Sequence, residues 1–262
     1  MLQPGQKRRV DMEWYPTPSY LVKRQVILEY LAHCEGNRIL EVGCGCGDLL
    51  HVLERRGYQG IGIDISEEAL AVAASGLSGD SITVARCTPG QLHEEFDVVV
   101  ASEVMEHYQD DALFLRQLRE RLRDGGHLLL TVPAHMKDWG PNDDSCGHVR
   151  RYERAELFNL FNSAGFSEIV IHSYGVPIYN FMKPIYDFAV RSETDRSTAP
   201  MEKTAESGGM RLMKGCGILF RFLFNDATMY PLYLMQRLFY RTDIGKGYFV
   251  AARKRSRCEA HT

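Results

Sequence analysis

Three side chains able to hold a proton or a metal ion stand close together in "ASEVMEHYQDD" (residues 101–111): Glu103, Glu106 and His107. The apolar run Phe96 to Val100 precedes them and reads as a buried strand, so the polar cluster falls where that strand ends. If a helical turn begins at 103, positions i, i+3 and i+4 share one face and the three converge. Carboxylates with an imidazole suit Mg, Mn, Fe or Zn. The competing expectation is structural: His107 caps local backbone and the glutamates pair with Arg150 or Arg151. Two further imidazoles are candidate bases for a substrate hydroxyl. His135, in "VPAH", follows the fifth strand, and His148 lies in "GHVRRYERAEL". His148 also has a plainer reading, as a backbone partner in a polar loop with Asp143 and Asp144.

A second chemical signature is "ILEVGCGCGDLL" (39–50), where Gly43, Gly45 and Gly47 join a strand to a helix. Such a turn brings backbone N–H groups close to a ligand at the carboxyl end of the strand. A dinucleotide fingerprint would place its third glycine at 48, which is Asp48, so the pyrophosphate-binding version fails by one position. Asp64 ends the next strand, "GIGID", and is placed to accept both hydroxyls of a ribose. Glu41, low in the first strand, could reach a cationic amine through water. A nucleoside with an amino-acid tail and no phosphates suits this set. Cys44 and Cys46 read as small side chains within the turn rather than metal ligands.

The elements that must position these groups alternate. Strands are expected at 38–42, 60–64, 81–85, 96–101, 126–132, 167–174 and 247–253, with helices at about 19–33, 47–56, 66–74, 110–122 and 154–165. Ser66 is the expected N-cap of its helix, with Glu67 and Glu68 in the first turn. The sequence "DGG" is expected to end the 110–122 helix, and Gly165 the 154–165 helix. Nearly continuous apolar strands alternating with helices predict an α/β fold, a doubly wound, mostly parallel seven-stranded sheet. Residues 1–37 are expected to form an N-terminal helix and lid, with "WYPTPSY" as part of the lid. Residues 38–175 and 247–255 are expected to form a ligand-binding core. Residues 176–246, rich in Phe, Tyr and Met and carrying Arg211, Lys214, Arg221 and Arg237, form a helical insertion between the last two strands. That insertion reads as a substrate cap with a mobile polar middle at 192–209.

The 262-residue chain is 45% apolar, enough for a sizeable core within one domain. A net charge of −3 forces no strongly basic surface, so charge does not imply nucleic acid as a partner. Seven cysteines without a CxxC pair fit a reduced, cytoplasmic setting. The N-terminus has no apolar signal core, and no run approaches a membrane span.

Taken in order, "LEVGCGCG", "GIDIS", "FDVVVASEVMEH", "LRDGGHLLLTVP" and "GHVRRYERAELFNLFNSAGF" resemble the class I S-adenosylmethionine-dependent methyltransferases. The resemblance covers about 38–174 and 247–253. It implies S-adenosyl-L-methionine as methyl donor, with Glu41, Gly43, Cys44, Gly45 and Gly47 at its methionine end. Asp64 would hold the ribose, Ile65 would pack on the adenine, and Ser102 would lie near the sulfonium. Cys87 and Thr88 stand where the family usually has an acid for the adenine amine. Similar ubiquinone-pathway O-methyltransferases use a Glu-x-x-Glu-His group, and methyltransferases of the terminal 2′-hydroxyl of small RNAs add a histidine placed like His148. The implied divalent-metal set is therefore Glu103, Glu106, His107 and His148, with His107, His135 and His148 as catalytic candidates. The expected activity is methyl transfer to a small-molecule or lipid-like acceptor at a hydroxyl oxygen. The alternatives are an RNA 2′-O-methyltransferase and a non-catalytic donor-binding scaffold. Peripheral membrane contact and a homodimer are compatible with the apolar insert.

Overall fold

The structure is a computed structural model that describes residues 16–181, 183 and 222–256. Its centre is a seven-stranded sheet: β1 (Arg38–Val42), β2 (Gln59–Asp64), β3 (Ile82–Arg86), β4 (Phe96–Ser102), β5 (Leu122–Pro133), β6 (Phe166–Tyr174) and β7 (Gly247–Lys254). The spatial order is β3-β2-β1-β4-β5-β7-β6. Strands β1 to β5 run parallel, and β7 lies antiparallel between β5 and β6. The central strands are buried on both faces, as their unbroken apolar runs require.

Seven helices are described: α1 (Pro18–Leu31), α2 (Asp48–Arg55), α3 (Glu67–Gly76), α4 (Asp111–Glu120), α5 (Pro141–Cys146), α6 (Arg154–Ser163) and α7 (Asp226–Arg237). One face of the sheet is covered by Val26, Ile27 and Leu31 of α1 with Leu49, Leu50 and Leu53 of α2 and Leu70 of α3. The other is covered by Phe114 and Leu118 of α4 with Leu157 and Phe161 of α6. Burying each such side chain contributes about 1.5–3 kcal/mol. Thr17 starts α1, its hydroxyl accepting from Tyr20 N at 3.2 Å with Pro18 at the first helical position. A smaller cluster, Leu21 and Val22 of α1 with Met229 and Tyr233 of α7, seats the described part of the insertion on the N-terminal helix.

Most expected elements stand within a residue or two of their predicted ends. The Ser66 cap forms, its hydroxyl accepting from Ala69 N at 3.2 Å. Gly165 takes the left-handed conformation after α6, at φ 85°. Three details differ. The helix α4 ends at Glu120, and "RDGG" is drawn into an irregular lead-in to β5, where pairing with β4 shifts between Phe96 and Val98. Helix α5 forms in what reads as a polar loop, started by Pro141 and an Asp143 carboxylate that accepts from Gly140 N at 2.8 Å. The turn after β4 is a single 3₁₀ turn, Met105–His107, instead of a helix from 103. Of the expected lid, "WYPTPSY" as far as Tyr15, and of the insertion, the polar middle 192–209, Arg211, Lys214 and Arg221, lie outside the described residues. No described helix is long and apolar enough to cross a membrane.

Candidate functional site

The glycine turn leaves β1 at the carboxyl edge of the sheet. Gly43 N and Cys44 N donate to Ile63 O at 2.8 and 3.0 Å, fastening the turn to β2. Gly47, at φ 78°, starts α2 so close to α3 that a Cβ would lie 2.7 Å from the Ala73 methyl. Gly45, at φ 51°, differs: a Cβ there would meet nothing within 4 Å. The turn is therefore closed behind and open in front. Asp64 organises it, one carboxylate oxygen accepting from Gly45 N at 2.9 Å and the other from Ser66 N at 2.9 Å. Ile65, beside it, is 62% exposed despite being aliphatic, an apolar ledge at the end of β2.

Glu41 points up β1 toward this turn and is buried. Its Oε2 has no hydrogen-bond partner among the described residues. Burial, with Asp48 and Asp64 nearby, pushes its carboxyl well above the usual range. A buried, unpartnered carboxylate is a receptor for a cation. Cys44 is buried and Cys46 half-buried, both as free thiols, and burial pushes Cys46 up to about 11. Cys87 packs against the core, and Thr88 starts a 3₁₀ turn in which its N–H donates to Gln91 Oε1 at 2.8 Å. Ser102 closes β4, its hydroxyl 3.1 Å from that of Thr131.

Beyond Ser102 the chain brings Glu106, His107 and His148 together, with one ligand atom of each within 4.8 Å of the others. Glu106 is fully buried and neither of its carboxylate oxygens has a hydrogen-bond partner among the described residues, though His148 Nε2 lies 3.8 Å from Oε1. Burial first, and Glu103 second, push its carboxyl well up. Each imidazole is oriented from behind. His148 Nδ1 lies 2.9 Å from Asp143 Oδ1, and His107 Nδ1 lies 3.3 Å from Gly147 O. With Nδ1 protonated toward those acceptors, Nε2 of each ring offers its lone pair on the inner side. Outer acceptors that fix the tautomer are what metal-bound histidines require. Asp143 is itself clamped: Arg151 donates to both its oxygens at 2.9 Å. Burial alone would raise the Asp143 carboxyl, but hydrogen bonds from His148 and Arg151 hold it at about 2.

Glu103 stands beside this trio rather than in it. Its backbone is left-handed, at φ 56°, and its Oε1 accepts from Tyr174 OH at 2.8 Å. The expected arginine pairings of the glutamates do not form: Arg150 binds Asp111 at 2.6 Å and Arg151 binds Asp143. His135 is not gathered to the trio. Its Nδ1 faces Glu153 Oε2 at 2.9 Å, and its Nε2 lies 3.5 Å from Tyr248 OH. Those partners edge a groove of about 640 Å³ between α6 and β6, lined also by Phe158, Ile169 and Asp243. That groove is separate from the glycine turn, and its polar groups are satisfied internally, Arg154 by Asp243 and Tyr248 by the same carboxylate. Sequence reasoning passed over Asp143, Tyr174 and Arg24. Asp143 was noted only as a loop acid, and the other two carry no motif, since their partners lie 71 and 24 residues away.

A methyltransferase-domain family model matches residues 20–171, more than half of the chain. The chain belongs to this methyltransferase family. It is 37% identical over 110 residues to a ubiquinone biosynthesis O-methyltransferase of Bradyrhizobium diazoefficiens, a match covering 40% of this chain and 42% of that one. It is 30% identical over 168 residues to that of Idiomarina loihiensis, covering 56% and 68%. The chain thus spans less than half the length of the first of these relatives. Among solved structures, a Mesorhizobium loti S-adenosylmethionine-dependent methyltransferase aligns over 89% of this chain and 98% of its own, with TM-score 0.55 and 16% identity. The [4+2]-cyclase SpnF aligns over 90% and 81%, with TM-score 0.61 and 20% identity. At such identities the likeness is one of fold.

Proposed function

We propose that this protein transfers a methyl group from S-adenosylmethionine to a hydroxyl oxygen of a small or lipid-like acceptor, at a site built around Glu106, His107 and His148. The observation that carries this reading is Glu106, fully buried, with two unpartnered oxygens facing two imidazoles that are each oriented from outside. The O-methyltransferase names of the ubiquinone-pathway relatives support oxygen as the acceptor atom.

S-adenosylmethionine supplies a methyl group already activated by the sulfonium. The protein's work is therefore placement and exclusion of water. The open front of the turn at Gly45 admits the donor, Asp64 accepts from its ribose diol, Ile65 covers the adenine, and Glu41 faces the ammonium. Ser102, at the end of β4, lies on the way from the donor turn to the trio. Glu106, His107 and His148 fit a divalent cation by their donor set and by the orphaned carboxylate, with Glu103 held to one side by Tyr174. Such a cation would supply Lewis acidity toward the acceptor hydroxyl. His107 is the exposed member, so the site opens to solvent on that side and the hydroxyl proton leaves to water there. Burial and the neighbouring His148 hold its pKa down, which keeps the ring neutral and its inner nitrogen available. Tyr174 and Tyr179 flank Glu103 on the side where the insertion begins and shape the acceptor's seat.

The test combines elemental analysis with turnover. Purified protein should carry about one equivalent of a divalent ion, lost in His148→Ala. Turnover on phenolic acceptors should fall on chelation and return with added metal. Full activity after exhaustive chelation would remove the cation from the mechanism. Methylation of a short RNA bearing a terminal ribose diol, in preference to every small acceptor, would replace the acceptor class.

A further inference from the structure

Arg24 is a buried cation, 6% exposed, in the middle of α1. Its two guanidinium arms leave α1 in different directions. Nη1 pairs with Asp48, and Nη2 pairs with Asp226 at 2.7 Å. Asp48 is the first residue of α2, immediately after Gly47 of the donor turn, and Asp226 is the first residue of α7 in the insertion. Both acids sit where a helix N-terminus favours negative charge, yet neither is left to solvent alone. A guanidinium cannot shed its charge, so a buried one depends on the carboxylates that face it. Arg24 Nε has no partner among the described residues, so these two acids are what hold the group.

The contacts continue past α7. Gln236, fully buried, donates to Val22 O and accepts from Gly175 N, both at 3.3 Å. Gly175 follows Tyr174, whose hydroxyl donates to Glu103 at 2.8 Å. Tyr233 of α7 also donates to Asp226, at 3.2 Å. The donor turn and the acidic side of the Glu106 cluster are thus linked through the polar contacts of Arg24 and Gln236, joined along the backbones of α1 and α7 and ending at Tyr174, the last residue of β6.

We propose that Arg24 is a positioning residue that locks the donor turn to the insertion helix α7, so that filling the donor site orders the acceptor side. The proposal rests on the reading of the glycine turn as the donor site. Because Asp48 and Asp226 share one cation, a ligand that fixes the Gly45–Asp48 segment fixes the guanidinium and, through it, the start of α7. A response of α7 to bound ligand reads such coupling directly.

The experiment is amide hydrogen exchange on the full chain, with and without S-adenosylhomocysteine, alongside calorimetric affinity for the same ligand. In the wild type, ligand should slow exchange in α7. In Asp226→Asn the ligand should bind within about threefold of wild type, while α7 exchanges faster and no longer responds. Asp226→Glu should restore the response, which a merely destabilised surface helix would not show. Arg24→Met should lose the response and weaken binding by roughly tenfold; if that variant does not fold, the Asp226 pair decides alone. Wild-type α7 that ignores bound ligand, or an Asp226→Asn protein that responds like wild type, overturns the coupling. Failure of the wild type to bind S-adenosylhomocysteine at all overturns the donor-site reading and the coupling with it.

Discussion

Glu41 and Asp143 are both buried carboxyls, and the structure drives them in opposite directions. Glu41 has no counter-ion in contact, and burial with Asp48 and Asp64 raises its pKa. Below the unfolded value of about 4.3 both states are protonated. As pH rises past it the unfolded chain ionises first, so the native state is progressively disfavoured until the raised folded value is passed. Glu41→Gln should therefore raise the neutral-pH melting temperature of the ligand-free protein while weakening donor binding, a pair of opposite signs readable by thermal unfolding and calorimetry. Asp143, held at about 2, contributes stability that is present above about 3.9 and lost as pH falls toward 2. Asp143→Asn should cost roughly 3–5 kcal/mol in denaturant unfolding, because it leaves Arg151 buried and half-paired. Asp64→Ala should weaken donor affinity by about 1–3 kcal/mol in calorimetry, losing acceptors for a ribose and for two turn amides. Unchanged affinity would remove the ribose assignment. Of these residues, Asp64 was legible in the sequence because its position relative to the glycines is fixed by one βαβ unit. Arg24 was not, because its second partner lies 202 residues away and no local pattern records such a distance.

Element boundaries followed the sequence where a local signal sets them. The Ser66 cap, the Gly165 terminus and the apolar runs of β1 and β4 are examples. They failed where tertiary pairing overrides propensity, as at "RDGG", which extends β5 alongside β4. The segment after β4 mattered more for chemistry. A helix starting at 103 would have put Glu103 on the face of Glu106 and His107. The left-handed Glu103 instead turns its side chain to Tyr174, and α5 with the following loop delivers His148 in its place. At this scale the insertion is testable through Tyr179, which packs close to Gly175 and feels the charges of Glu103 and Arg151. Tyr179→Ala should reorder preference among acceptors of different apolar size while donor affinity stays within about threefold, under 1 kcal/mol. Donor affinity that collapses with an unmoved acceptor ranking would make the start of the insertion ordinary core.

For the molecule as a whole, a mostly parallel seven-stranded sheet was legible from seven apolar runs in alternation with helices, but which strand is reversed was not. The order of the last two strands was not, since β7 is as apolar as its neighbours whichever position it takes. Ligand binding should act on this whole. S-adenosylhomocysteine at a hundred times its dissociation constant stabilises a folded protein by about 2.7 kcal/mol. For a chain of this size that amounts to a rise of roughly 5–10 °C in melting temperature. Differential scanning at several ligand concentrations checks it, and a midpoint indifferent to ligand would contradict a preformed donor site.

The place of β7 also bears on how the chain is made. Among the described strands β6 pairs only with β7, and β7 is formed by residues 247–254. A ribosome delivering this chain in order would release β1 to β5 able to pair as they emerge. The edge of β5 and the whole of β6 would wait, unpaired, until some seventy further residues had been synthesised. An exposed strand edge invites pairing with another chain. Nascent or truncated forms that stop short of residue 247 should therefore depend on chaperones and aggregate when these are scarce, whereas the chain carrying β7 closes its own sheet.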